Sequence, residues 1–161
     1  VDAALMMEAG RELARRFDGA AATKVLTAEI SGIAPALTTA LVLGVPLVYA
    51  RKSKPVTMPE RVYLETAPSH TKGKFVELLV SSEVLDASDR VLIVDDFLAT
   101  GQTIQALVRL VEQAGATLVG IGAVIEKSFE GGRALLSSLG VPIESLVVIT
   151  EMQDGRITFA E

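Results

Sequence analysis

The stretch Val91-Leu92-Ile93-Val94-Asp95-Asp96-Phe97-Leu98-Ala99-Thr100-Gly101-Gln102-Thr103 decides the fold. Val91 to Val94 is an unbroken aliphatic run, the pattern of a strand buried on both faces in a parallel sheet. Two adjacent carboxylates stand at its C-terminal end, and a loop of small residues follows. The apolar spacing from Thr103 to Gln113 then predicts a helix. In open α/β sheets ligands bind in the crevice beyond the strand ends, where this loop lies. The chemistry there suits a sugar phosphate. Carboxylates accept hydrogen bonds from the two hydroxyls of a ribose, and successive backbone N–H groups at a helix N-terminus form a nest for a phosphate.

Working outward, the same alternation recurs. A helix is predicted from Ala3 to Phe17, ending near Gly19, and a strand from Lys24 to Ile30. Ser31-Gly32 turn the chain into a helix from Pro35 to Leu43, with Pro35 in the first turn, where its missing N–H has no intrahelical partner. Leu47 to Ala50 reads as the next strand. From Arg51 to about Lys74 the pattern dissolves among Pro55, Pro59, Pro68 and Gly73. Phe75 to Val80 reads as a strand that pairs antiparallel with Arg61 to Thr66. Beyond the central motif come a strand from Leu118 to Glu126, a short helix from Gly131 to Leu139 and a strand from Ile143 to Ile149. A tight turn at Asp154-Gly155 precedes a last strand, Ile157 to Phe159. Strands alternating with helices make this an α/β chain with a mainly parallel central sheet, in one domain spanning residues 1–161.

The composition excludes several functions. Half the residues are hydrophobic, but no apolar run reaches the roughly 18 residues of a membrane span, so no membrane partner is expected. A net charge of −5 argues against nucleic acid, which calls for a basic face. Cysteine is absent, which removes thiolate nucleophiles and thiolate metal sites and fits a cytoplasmic protein. No protein-built metal site is read from the sequence.

The stretch Val91 to Thr103 resembles the phosphoribosyl pyrophosphate (PRPP) motif of the type I phosphoribosyltransferases, and nearly the whole chain follows that fold in order. The resemblance implies a central sheet flanked by helices with a small hood. It implies that Asp95 and Asp96 hold the ribose, and that Ala99, Thr100, Gly101, Gln102 and Thr103 hold the 5′-phosphate. Glu29-Ile30-Ser31-Gly32, a second strand end turning into a helix, corresponds to the pyrophosphate loop, where Gly32 lets backbone N–H groups approach an anionic oxygen. Arg51 and Lys52 stand at the end of the next strand with Lys54 close behind. Cations on the side where anions bind suggest a pyrophosphate clamp, and the family often shows the Arg-Lys pair here, so both are assigned to catalysis. The irregular segment Lys54 to Lys74 corresponds to a flexible hood loop that closes over the reacting centre and excludes water. His70, the single histidine, lies in it and receives no catalytic role.

Ile125-Glu126-Lys127-Ser128-Phe129 ends the following strand. Phe129 is expected to stack on a flat heteroaromatic base and Lys127 to donate to its exocyclic oxygen. An ammonium has donors alone, so it selects a 6-oxopurine over the 6-amino group of adenine. Glu-Lys-Ser-Phe, with Phe97 and Gln102, resembles the xanthine-specific branch of the purine enzymes. That resemblance implies purine salvage with PRPP and a purine base as substrates, Mg²⁺ bound with PRPP, and a cytoplasmic homodimer. Hypoxanthine-guanine relatives carry an Asp at the start of the phosphate loop to serve the base. Here that position is Ala99, so no general base is assigned. The xanthine branch also uses residues before its first helix in the base pocket, so a hood segment is expected ahead of Val1. The rival readings are a PRPP-binding transcriptional regulator of the purine-repressor type, and adenine salvage.

Overall fold

The computed structural model describes residues 1–68 and 75–160, so His70 and the end of the expected hood loop lie outside the described residues. The elements are α1 (Ala3–Arg16), β1 (Lys24–Ala28), α2 (Ile33–Leu43), β2 (Leu47–Ala50), β3 (Val62–Pro68), β4 (Phe75–Ser81), β5 (Arg90–Leu98), α3 (Gln102–Gln113), β6 (Thr117–Lys127), α4 (Gly132–Leu136), β7 (Ile143–Gln153) and β8 (Arg156–Phe159). Six strands form one sheet in the order β2-β1-β5-β6-β7-β8, and β3-β4 form a separate hairpin. Every neighbour in the large sheet is parallel except β7 and β8.

The central position of β5 explains its composition. Val91 and Ile93 enter the apolar core beneath α3, whereas Leu92 and Val94 enter the core on the α1–α2 side. All four are fully buried, which an aliphatic run on both faces requires. On the second side α1 and α2 cross at close quarters. A Cβ on Gly10 would collide with Thr38, whose hydroxyl donates to the Met6 carbonyl at 2.9 Å.

The hairpin matches the expected antiparallel pairing, with Val62 opposite Ser81 and Pro68 opposite Phe75. Arg51 fastens it to the main sheet: its N–H donates to the Leu79 carbonyl at 2.9 Å, and the Leu79 N–H donates back at 2.8 Å. Asp154 and Gly155 both have positive φ, 49° and 73°, the geometry of the tight hairpin turn expected there.

Several boundaries differ from the sequence reading, most by a residue or two. β1 stops at Ala28 rather than Ile30, because the chain turns at Glu29 and Ile30. β5 continues through both carboxylates to Leu98, since β6 is long enough to pair with it as far as Leu98 opposite Glu126. The acidic pair therefore lies within the strand's last turns of pleat, not after it. The expected helix Gly131–Leu139 is α4 followed by a 3₁₀ turn at Ser137–Leu139. β7 runs on to Gln153 because β8 folds back along it.

Candidate active site

The C-terminal ends of β1, β2, β5 and β6 open into a cavity of about 330 Å³. Asp95, Asp96, Ala99, Thr100, Gly101, Gln102 and Thr103 line it from the centre, Glu29 and Ser31 from β1's exit, and Lys52 from β2's. Lys127 closes one side, and the β3–β4 hairpin walls another with Ala67, Pro68, Val76 and Leu78.

Two helix N-termini point at this space. α3 starts from Gly101, which has φ +77° and supplies no side-chain cap, and α2 starts from Gly32, also without one. The first N–H groups of a helix have no intrahelical partner, so both ends present donors and positive dipole ends to an anion. Gly32 is required by packing. A Cβ there would fall on both the Thr27 hydroxyl and an Asp95 carboxylate oxygen. The Thr27 hydroxyl is buried and lacks a hydrogen-bond partner.

The two carboxylates have different surroundings. Asp95 is 7% exposed, and one of its oxygens accepts the Asp96 N–H at 3.0 Å. Burial, with the Asp96 charge adding to it, pushes Asp95 up to about 8, although the Lys52 ammonium pulls the other way. Asp96 is half-buried and faces the cavity. A protonated Asp95 beside the Asp96 side chain offers a hydrogen-bond donor and acceptors at one strand end, a set suited to vicinal hydroxyls.

Glu29 braces the neighbouring turn. It accepts the Lys52 N–H at 2.6 Å and faces the Arg51 guanidinium at 3.9 Å. At the far side the Lys127 ammonium lies 5.5 Å from the centre of the Phe97 ring and 3.5 Å from Glu130. A flat ring surface beside a pure donor can hold a planar heterocycle bearing a carbonyl oxygen. Groups suited to a sugar phosphate and groups suited to a planar heterocycle thus share one cavity. Residues 3–133 match the family model described as the phosphoribosyl transferase domain.

The chain belongs to the phosphoribosyltransferase family.

The relatives of this phosphoribosyltransferase agree over nearly its whole length. Xanthine phosphoribosyltransferase of Deinococcus deserti is 54% identical over 157 residues, 98% of this chain and 81% of the relative. The xanthine phosphoribosyltransferase of Lactobacillus delbrueckii subsp. bulgaricus is 48% identical over 159 residues, 99% of this chain and 84% of the relative. Among solved structures, adenine phosphoribosyltransferase from Thermoanaerobacter pseudethanolicus superposes with a TM-score of 0.80 at 30% identity, covering 91% of this chain and 82% of that one. The APRTase from Giardia lamblia complexed with 9-deazaadenine gives 0.81 at 28%, covering 90% and 80%.

Within the phosphoribosyltransferase fold, some expected site residues converge and others do not. Both carboxylates, the whole loop Ala99 to Thr103, Glu29, Ser31, Lys52 and Lys127 meet at the cavity. Arg51 does not. Its backbone is tied to Leu79, its buried Nε lies 3.9 Å from the Glu29 carboxylate without a hydrogen-bond partner among the described residues, and it borders a second cavity of about 350 Å³. Ile30 is 77% exposed and also stands outside the cavity. Phe129 is 52% exposed on the turn after β6, and the aromatic ring that lines the cavity is Phe97. The sequence reading missed the buried Thr27 hydroxyl, the hairpin wall and the contact of Gly132 with the Ala99–Thr103 loop. The Gly131-Gly132 doublet was the visible sign of the last of these.

Among the described residues no group of three or more His, Cys, Asp or Glu stands close enough to hold a metal. No described helix is long and apolar enough to cross a membrane.

Proposed function

We propose that this phosphoribosyltransferase moves the phosphoribosyl group of PRPP onto xanthine, giving xanthosine monophosphate and pyrophosphate in purine salvage. The observation that carries the choice of base is Lys127, a donor-only side chain beside the Phe97 ring at the cavity wall. The xanthine phosphoribosyltransferases at 54% and 48% identity support the same choice.

Asp95 and Asp96 hold the ribose hydroxyls, and the N–H groups from Ala99 to Thr103 hold the 5′-phosphate. Ser31 and Gly32, at the uncapped start of α2, with Lys52, receive the pyrophosphate. Glu29 serves them indirectly, by fixing the Lys52 backbone. Lys52 lines this cavity and Arg51 does not, so Lys52 is the cation of the pair that reaches the leaving group in this chain.

A base nitrogen bonds to the sugar C1 as the bond from C1 to the pyrophosphate oxygen breaks, and that oxygen keeps the electron pair. Positive charge develops on the sugar ring and negative charge on pyrophosphate. The helix N-terminus of α2 and the Lys52 ammonium stabilise the latter where it forms. No residue of the cavity is placed as a general base, and xanthine, itself acidic, attacks as its anion. The carboxylates Asp95, Asp96 and Glu29 line the cavity, and oxygen donors with substrate oxygens suit Mg²⁺, which takes one or two carboxylates and keeps several waters. Bound with PRPP, Mg²⁺ would supply charge neutralisation at the pyrophosphate. Positioning by Lys127 and the hairpin wall does the rest. A cytoplasmic homodimer belongs to the same reading.

The test is product formation from PRPP and Mg²⁺ with xanthine, guanine, hypoxanthine or adenine in separate reactions. Xanthine is expected to react ahead of the others. Preference for adenine would overturn the Lys127 assignment, and no product with any base would favour a PRPP-binding regulator.

A further inference from the structure

Glu126 and Lys127 are adjacent on β6 and point to opposite sides. Lys127 faces the cavity. Glu126, 2% exposed, sits in a cage of donors behind it. Arg133 Nε approaches its two carboxylate oxygens at 2.8 and 3.1 Å, Arg133 Nη2 reaches one of them at 2.5 Å, and the Ser145 hydroxyl donates at 2.7 Å. Arg133 also donates to the Ile143 carbonyl at 2.9 Å. This fork-shaped pair, buried on the Glu126 side, holds the Glu126 carboxylate below the usual range. It also closes the segment 127–132 into a loop with fixed ends.

The end of that loop presses on the Ala99–Thr103 loop. The Gly132 N–H donates to the Ala99 carbonyl at 2.9 Å. A Cβ on Gly132 would land on that same carbonyl oxygen and within 2.7 Å of the Gly101 nitrogen. A Cβ on Gly101 would stand 3.0 Å from the Gly132 Cα. The two main chains therefore lie back to back, with no side chain between them. Neither Gly132 nor Arg133 lines the cavity.

We propose that Gly132, held in place by the Arg133–Glu126 pair, is a positioning residue that keeps the Ala99–Thr103 loop in its phosphate-binding shape. The segment that carries Lys127 and the loop that takes the 5′-phosphate are thereby one mechanical unit. The brace fixes the Ala99 peptide so that the N–H groups following it converge on the cavity, which an unsupported loop of small residues would not maintain. The assignment rests on the proposed function only in taking PRPP as the ligand of this loop.

The experiment titrates PRPP with Mg²⁺, without base, into the wild type, Gly132→Ala, Arg133→Lys and the control Arg90→Lys, with circular dichroism confirming the fold of each. Arg90 bonds the Ala20 and Ala21 carbonyls at the opposite end of the strands. Arg133→Lys retains a cation beside Glu126 and loses the fork, so it remains folded. Gly132→Ala is expected to weaken PRPP about tenfold or more, because backbone must move to admit the methyl group. Arg133→Lys is expected to weaken it severalfold and Arg90→Lys not at all. The double variant is expected to lose less than the product of the single losses, since both act through one contact. Melting temperatures that fall while PRPP affinity stays at the wild-type value would overturn the brace and leave a structural pair. Absence of PRPP binding by the wild type would overturn the proposed function itself, and the brace with it.

Discussion

Replacing Asp95 by Asn should stabilise the ligand-free protein, and should do so more strongly as pH rises. The carboxyl is buried next to Asp96 and titrates near 8 in the fold, against an ordinary value of 3.8. A folded value above the unfolded one means that the proton on Asp95 contributes stability fully below about 3.8. That contribution is lost as pH rises through about 8. Asn has the shape of the protonated acid, and its oxygen still accepts the Asp96 N–H, so it keeps the contribution at every pH. The gap between variant and wild type therefore starts near zero at pH 4 and grows by at most about 1.4 kcal/mol per pH unit, levelling off above 8. Unrelieved, this would reach roughly 6 kcal/mol. Hydration through the adjoining cavity relieves part of it, so ~3 kcal/mol between pH 4.5 and 8.5 is the expected growth. Urea unfolding in EDTA, without PRPP, measures it. Groups remote from Asp95 and Asp96 titrate alike in both proteins and cancel in the difference. A gap that is constant over this range, or that widens toward acid, would refute the protonated, buried Asp95.

Lys127→Ala should raise KM for xanthine about 10- to 100-fold, the worth of a hydrogen bond from a charged donor, with KM for PRPP unchanged. Equal loss of PRPP affinity would move Lys127 to the sugar phosphate. Gly32→Ala should destabilise the fold by about 1–3 kcal/mol and weaken PRPP, because the new methyl group meets Thr27 and Asp95 at once. An unchanged melting temperature would show that the α2 start relaxes freely. Asp96→Asn should reduce PRPP affinity on calorimetry by about tenfold or more without lowering the melting temperature, since Asp96 is half-buried and its charge opposes that of Asp95. Wild-type affinity would remove Asp96 from the ribose.

The central strand and its loop were legible because their signals are local. An aliphatic run needs two apolar faces, Gly101 permits the positive φ from which α3 starts, and the carboxylates sit within a few residues of both. The antiparallel hairpin and the Asp154-Gly155 turn followed from alternation and turn chemistry in the same way. Strand ends were less legible, since β5 and β7 extend as far as their neighbours permit and the neighbours are distant in sequence.

By itself, then, the sequence determined the α/β order, the family, the strand that carries the acidic pair and the loops that close on it. All of these depend on the periodicity and backbone chemistry of short segments. The tertiary structure alone decided which of two adjacent cations reaches the cavity. The Arg51–Leu79 bridge fixes the β2 exit, with Lys52 on the cavity wall and the Arg51 guanidinium held beside Glu29. It also placed the Phe97 ring, rather than Phe129, on the cavity wall near Lys127. It set Asp95 near 8 by burying it beside Asp96. And it pressed Gly132 against Ala99, 33 positions away along the chain. Each of these results from packing between segments far apart in sequence, where direction and burial are set by what the other segment presents.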